Sequence, residues 1–198
     1  MYIQIIQAKC TRQDEARACI DRWREEVMPG SVGWLGGTYG FTDDDMFVGV
    51  IRFESREAAM SNSTRPEQGT WWAEMEKCLD GPAEFHDCDD VMLFLDGGSD
   101  QAGFVQIIRG KVDDPARLKA MMSADTDALH EMRPDIIGGT LAIESDGTFT
   151  ETIAFTSEEE ARKYEASAPM PAEMQAEMDS VMHDVSYLDL HHPFFSSK

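Results

Sequence analysis

Hydrophobic and polar positions along the chain predict strands and helices in alternation. Residues 2–9 are apolar at most positions, which is typical of a strand covered on both faces. Residues 14–28 carry apolar side chains three and four positions apart, which predicts an amphipathic helix. Residues 34–41 and 46–53 then read as two strands joined by an acidic turn. This pattern predicts a strand, a helix and a β-hairpin, in that order.

The pattern continues with a second helix and a fourth strand. Ser55 is placed to cap a helix, which breaks near Pro66 and resumes as far as Leu79. A last strand is predicted within residues 84–95. The resulting order is β-α-β-β-α-β.

The same order of predicted elements occurs a second time in the chain. Three segments recur at one constant separation of 102 positions. They are 2–9 with 104–111, 36–38 with 138–140, and 53–55 with 155–157. A repeat of this length is a whole folding unit, duplicated and fused. We therefore predict a first repeat at 1–96, a linker at 97–102, and a second repeat with a C-terminal tail at 103–198.

This element order predicts an α+β fold. A β-α-β-β-α-β unit forms a four-stranded antiparallel sheet with two helices on one face, and its bare face must be buried. We expect two fused ferredoxin-like repeats whose antiparallel sheets pack face to face as a pseudo-twofold dimeric α+β barrel. The residues from His191 onward are expected to form a loose tail.

Composition narrows the classes of partner. The 198 residues are 42% hydrophobic and carry a net charge of −21, which disfavours nucleic acid and anionic membrane surfaces. No segment has the length of a transmembrane helix or the order of a signal peptide, so we expect a cytoplasmic protein. The four cysteines have no zinc-site spacing, and we expect no metal site.

The chain resembles the dimeric α+β barrel superfamily, and within it the two-copy, actinobacterial type of antibiotic-biosynthesis-monooxygenase-like protein. The resemblance spans nearly the whole chain, and the residues that carry it lie in 2–9, 34–38, 48–55 and 62–72. It implies a small-molecule site. It does not imply one reaction, because relatives of this fold include cofactor-independent oxygenases, isomerases, haem-degrading enzymes and non-catalytic ligand-binding proteins.

The two repeats differ most in their aromatic residues. All four tryptophans lie in the first repeat, where Trp23 aligns with Asp125 of the second. A fused pair no longer needs two equal sites, so we expect the first repeat to keep an aromatic pocket. Its predicted substrate-binding residues are Trp72, Trp23, Trp34 and Tyr39. The alternative is ordinary core packing, which aromatic side chains at helical spacing more often serve.

Three polar residues are the candidate catalytic groups. His86 stands among carboxylates and is a candidate acid or base. Gln4 and Arg52 interrupt apolar strands and are candidates to hold a substrate anion. The alternatives are structural, because Gln106 repeats Gln4, because Glu54 is a possible ion-pair partner of Arg52, and because a second His-Asp pair repeats His86.

These features leave several functions open. One hypothesis is a cofactor-independent monooxygenase or isomerase that acts on an aromatic or polyketide-like substrate. Another is a non-catalytic small-ligand-binding or stress-response protein. Haem binding or degradation fits less well, because the first strand offers Gln4 where haem-degrading relatives carry an Asn. We expect no cofactor, a small apolar or aromatic partner, and a monomer with an internal pseudo-dimer, with homodimerisation left open.

Overall fold

The structure, a computed structural model, describes residues 1–123, 130–167 and 172–197. It contains two compact units. The first unit is Met1–Asp89 together with the C-terminal residues from Phe194, and the second unit is Asp90–Pro193.

The first unit contains the predicted elements in the predicted order. Its strands are β1 (Tyr2–Lys9), β2 (Trp34–Phe41), β3 (Met46–Phe53) and β4 (Glu84–Cys88). Its helices are α1 (Gln13–Glu26), a 3-10 turn (Met28–Gly30), α2 (Arg56–Ser63) and α3 (Pro66–Glu76). Ser55 caps α2 as predicted, because its hydroxyl accepts a hydrogen bond from the backbone of Ala58.

The second unit repeats this arrangement. Its strands are β5 (Asp90–Phe94), β6 (Phe104–Val112), β7 (Ile136–Ile143), β8 (Thr148–Phe155) and β9 (Met182–Leu190). Its helices are α4 (Pro115–Ser123), α5 (Glu158–Ser167) and α6 (Ala172–Asp179). The strand order β2-β3-β1-β4 of the first sheet corresponds to β7-β8-β6-β9 of the second. The α+β class and the two fused ferredoxin-like repeats are therefore confirmed, whereas the face-to-face packing of the sheets stays a prediction.

Each sheet has a fifth strand that the sequence did not predict. The segment 84–95, predicted as one strand, forms two strands in different sheets, because β4 ends at Cys88 and β5 pairs with β7. The predicted loose tail forms strand β10 (Phe194–Ser197), which pairs with β2. Both added strands cover the edge that β2 or β7 would otherwise leave with unpaired backbone groups. The first compact unit therefore ends at Asp89 and takes in the C-terminal strand, whereas the predicted first repeat ends at residue 96 and the predicted second repeat includes the C-terminus.

The repeated Gly-Gly pair marks a β-bulge in each sheet. The register shifts between Trp34 and Gly36 in β2, and between Ile136 and Gly138 in β7. Gly138 has φ of +152°, and a Cβ there would lie 1.6 Å from the carbonyl oxygen of Gly97. The bulge therefore requires glycine, which explains why the motif recurs.

Both faces of the central strands are buried. Tyr2 and Ala8 of β1 pack in the clusters that also contain helix residues, so they lie on the helix side of the first sheet. Ile3 and Ile5 are buried on the opposite face. This alternation decides which candidate side chains can meet.

Candidate functional site

The four tryptophans form one aromatic chain on the helix side of the first sheet. Ring centroids lie 5.1 Å apart for Trp23 and Trp34, and 6.2 Å apart for Trp23 and Trp71. Trp72 continues the chain, at 5.9 Å from Trp71 and 5.2 Å from Phe85. We call these five side chains the tryptophan chain. It brings together three of the predicted substrate-binding residues.

Two members of the tryptophan chain are packed into the core. Trp34 is 0% exposed and Trp23 is 5% exposed. The indole of Trp23 donates to Gln68 at 2.8 Å, and that of Trp71 donates to the Cys19 carbonyl at 2.7 Å. Trp72 is half-buried. Core packing accounts for the burial of Trp23 and Trp34, and substrate binding by these residues stays a prediction.

Tyr39, the fourth predicted binding residue, is also buried on the helix side. Its ring stacks on Phe194 of β10, with centroids 5.4 Å apart. Burial raises the pKa of its phenol above the ordinary value. Tyr39 is therefore a neutral packing residue whose neighbour comes from the C-terminal strand.

Gln4 forms a hydrogen-bonded cluster with Asp87 on the helix side of the first sheet. Its amide donates to Asp87 Oδ1 at 2.9 Å, and the Tyr2 hydroxyl donates to the same oxygen. Arg56 Nη2 lies 3.9 Å from Asp87. Burial opposes ionisation of Asp87, but the hydrogen bonds from Tyr2 and Gln4 outweigh it, so its pKa lies below the usual value.

The second unit keeps this cluster. Gln106 donates to Asp189 at 2.9 Å, and Arg162 forms an ion pair with Asp189. Because both units satisfy the amide in the same way, the geometry favours a structural role for Gln4.

A neighbouring contact between an acidic and a basic side chain is kept with the positions of the acid and the base exchanged. Arg56 Nη1 lies 2.5 Å from Asp89 in the first unit. The residues 102 positions further on are Glu158 and His191, which lie 2.7 Å apart. The contact has been retained while both partners changed type, which also indicates a structural role.

His86 and Arg52 lie on the other face of the first sheet. His86 pairs in register with Ile5, and Arg52 with Ile3, whereas Gln4 pairs with Asp87. Since cross-strand neighbours share a face, His86 and Arg52 point away from the helices. His86 is half-buried, and its Nε2 lies 3.9 Å from Glu84. The three predicted catalytic residues therefore do not converge on one point of the first unit.

Glu151 of β8 is a candidate that the sequence reasoning missed. It pairs in register with Ile108 and Leu141, both of which pack on the helix side of the second sheet. Its aligned residue in the first unit is Gly49. Burial alone raises the pKa of its carboxyl from 4.5 to about 7. An acid at a helix-facing position of an apolar strand, with a glycine as its repeat partner, was the signal available in the sequence.

Methionines dominate the surroundings on this side of the second sheet. Five half-buried methionines pack on the cluster that contains Leu118, Leu141 and Phe149. They are Met92, Met121, Met122, Met178 and Met182. Asp125, the aligned partner of Trp23, lies outside the described residues.

The whole chain is similar to solved structures of two-unit length. A candidate monooxygenase from Lactobacillus acidophilus has 12% identity and a TM-score of 0.75, over 99% of this chain and 95% of that one. A candidate monooxygenase from Fusobacterium nucleatum has 10% identity and a TM-score of 0.77, over 100% and 94%. An anthrone oxidase-like protein has 10% identity and a TM-score of 0.68, over 99% and 92%. No protein-family profile and no curated protein sequence matches the chain.

The chain has the two-copy fold of these monooxygenase-like proteins. The resemblance inferred from the sequence is therefore confirmed at the level of the fold. Identities of 10–12% carry no residue-level assignment, so any site in this chain must be argued from its own side chains.

The described residues show neither a metal centre nor a membrane-spanning helix. Within residues 1–123, 130–167 and 172–197, no group of three or more His, Cys, Asp or Glu side chains is arranged to hold a metal ion. No helix in the described part of the chain is long and apolar enough to cross a membrane.

Proposed function

We propose that this protein is a small-molecule enzyme that oxygenates or isomerises a flat aromatic or polyketide-like substrate without a bound cofactor. The observation that carries the proposal is the likeness to two candidate monooxygenases and an anthrone oxidase-like protein over 99–100% of the chain. The likeness runs through both units, so it concerns the whole architecture rather than one common motif.

The proposed reaction begins with a proton transfer. A base removes a proton from an activated methylene or phenol, and the electron pair stays on the substrate as a stabilised anion. In oxygenation that anion reduces dioxygen, and a CH2 group with O2 becomes a carbonyl and water. The substrate supplies all four electrons, so the balance needs no external reductant. In isomerisation the anion is instead protonated at another carbon.

The charge of the protein favours a neutral substrate. With a net charge of −21, the protein repels anions before they reach any site. A neutral carbon acid or phenol acquires its negative charge only after binding, when one proton has moved to the protein.

Oxygen consumption with anthrone tests this proposal. We expect one O2 to be consumed for each anthrone converted to anthraquinone, at a rate that rises with protein concentration above the protein-free rate. The variants His86→Ala and Trp72→Ala then test the residues proposed from the sequence. Unchanged turnover in both variants removes them from the site, and an absence of protein-dependent oxygen uptake contradicts the oxygenase proposal.

A second candidate is a non-catalytic ligand-binding protein. It is favoured by the placement of His86 and Gln4 on opposite faces of the first sheet, which separates two of the proposed catalytic residues. Native mass spectrometry of protein purified from its own host distinguishes the two candidates. A retained small molecule that is not altered in air supports binding alone.

A further inference from the structure

We infer that the reactive centre lies in the second unit, where Glu151 accepts a proton from a neutral, flat carbon acid or phenol held against the surrounding methionines. The inference rests on the proposed function and deepens it, because it names the base, the unit and the substrate class.

Strand register places Glu151 on the helix side of the second sheet. In β8 it alternates with Phe149 and Ile153, which pack in the helix-side clusters. Its cross-strand neighbours are Ile108 and Leu141. The carboxyl therefore extends from an apolar surface towards the helices rather than towards the opposite face.

The surroundings of Glu151 give its charge no compensation. No described residue donates a hydrogen bond to it or forms an ion pair with it. Other acids of the second unit do have cations, since Glu144 lies 2.8 Å from Arg109 and Asp135 lies 2.7 Å from Arg133. A half-buried carboxylate on an apolar surface lowers stability when it is ionised without such a partner, and acids of this kind are more common at functional sites than elsewhere.

Two basic side chains of helix α4 form ion pairs with acids other than Glu151. Lys119 of α4 lies 2.7 Å from Asp90, and Arg117 of α4 lies 3.3 Å from Glu177 of α6. Desolvation is the sole cause of the raised pKa of Glu151, so neither pair sets its protonation.

The same position in the first unit is a glycine flanked by aromatic rings. A Cβ on Gly49 would make ordinary van der Waals contact, at 3.4 Å, with both Phe47 and Tyr39. In the second unit Leu141 aligns with Tyr39, and five methionines pack on this side of the sheet. The carboxyl at this position is therefore a feature of the second unit that the first unit does not share.

The environment of Glu151 suits proton abstraction near neutral pH. With a pKa of about 7, a large fraction of the carboxyl is ionised there, and it is still basic enough to bind the proton. The substrate C–H or O–H bond breaks, the proton passes to a Glu151 carboxyl oxygen, and the electron pair stays on the substrate. The negative charge moves from protein to substrate, so the total charge of the site is unchanged for a neutral substrate.

Methionine side chains define the shape of the preferred ligand. Thioethers are polarisable and make favourable contacts with aromatic rings. The five methionines of the cluster present these groups on the same side of the sheet as Glu151. An aromatic carbon acid such as anthrone combines a ring for the methionines with an acidic proton for the carboxylate.

The test separates proton abstraction from oxygenation. Exchange of the anthrone methylene protons for deuterium is followed by NMR in D2O without oxygen, for the wild-type protein, Glu151→Gln, Glu151→Asp and the control Glu160→Gln. Glu160 is an acid of α5 paired with Lys163 at 3.0 Å. Oxygen uptake is then measured for the same four proteins.

We expect Glu151→Gln to lose protein-catalysed exchange by about 100-fold or more, since a general base contributes that much. Glu151→Asp should keep part of the exchange, and Glu160→Gln should keep all of it. The Gln variant retains the side-chain volume and removes a buried charge, so it is expected to fold; thermal unfolding of each variant checks this.

Each outcome decides between the two claims. Exchange that depends on Glu151 without oxygen uptake supports the inference and contradicts oxygenation. Oxygen uptake with exchange that is insensitive to Glu151→Gln overturns the inference and leaves the proposed function standing. If the wild-type protein accelerates neither process, both are overturned.

Discussion

The two sheets have the same strand order, but different side chains pack between each sheet and its helices. In the first unit the helix side holds four tryptophans, two of them 5% exposed or less. Among the described residues of the second unit, this side holds five methionines and the carboxyl of Glu151, to which none of them donates a hydrogen bond. After duplication, the strand order stayed the same while the side chains between the sheet and the helices changed.

The features kept in both units are those that hold the backbone in place. The Gln-Asp hydrogen bond joins β1 to β4 in one unit and β6 to β9 in the other, at 2.9 Å in each. The Gly-Gly bulge also recurs. The inference drawn above adds that the first unit mainly supplies rigidity, while the second supplies the reactive group. Three substitutions test this division.

Removing a tryptophan should show how much stability the first unit takes from its aromatic core. Trp34→Ala deletes a fully buried side chain, and we expect a loss of about 3–5 kcal/mol in the free energy of unfolding, because the cavity cannot close around rigid neighbours. Urea denaturation of the wild-type protein and the variant measures this loss. The half-buried Trp72 is the matched control, and its Ala variant should lose clearly less. Equal losses would contradict the view that the buried end of the tryptophan chain is structural.

Stability should depend on pH through Glu151. Its pKa is raised from 4.5 to about 7 in the folded protein, so the folded state holds the proton more tightly between these values. The contribution of Glu151 to stability therefore falls as pH rises from 4.5 to 7, by roughly 3 kcal/mol in total.

Glu151→Gln lacks this titration. We therefore expect the difference in free energy of unfolding, variant minus wild type, to increase from pH 4.5 to 7.5. Above pH 7.5 the difference should stay constant. Glu160→Gln is the control for loss of one negative charge. Parallel curves for wild-type and Glu151→Gln would show that the carboxyl is solvated as in an unfolded chain.

Tyr2→Phe tests a smaller difference between the units. The aligned residue, Phe104, has no hydroxyl, whereas the Tyr2 hydroxyl donates to Asp87. We expect the free energy of unfolding of the variant to fall by about 1.5–3 kcal/mol, as for a hydrogen bond to a charged group. Tyr187, which is 62% exposed in the second unit, provides the control, and its Phe variant should change stability little. A similar small change in both variants would mean that the Tyr2 bond contributes nothing net.

The sequence predicted the elements well because their patterns are local. The apolar spacing of 14–28 and the cap at Ser55 each depend on a few adjacent residues, and both elements are present. The fifth strand of each sheet escaped prediction because pairing of Phe194 with Tyr39 joins residues far apart in the chain. No local pattern distinguishes such a strand from a tail.

The site was predicted less well for a related reason. Whether Gln4 and His86 share a face depends on the register of β1 against β4, which the sequence of either strand alone does not give. The four tryptophans led to the prediction of a pocket in the first unit, but three of these rings pack on one another. Glu151 was not predicted because its interest lies in the lack of a hydrogen-bond or ion-pair partner among the described residues, which only the folded second unit reveals.

The most direct test of the difference between the units is a titration with anthraquinone, the non-oxidisable product of anthrone, on protein labelled at methionine methyls and tryptophan indoles. All four indoles report on the first unit, and the methyls of Met121, Met122, Met178 and Met182 report on the second. We predict that these methyl signals shift on binding while the indole signals stay in place. Shifts of the Trp71 and Trp72 indoles, with the methionine signals unmoved, would contradict the account.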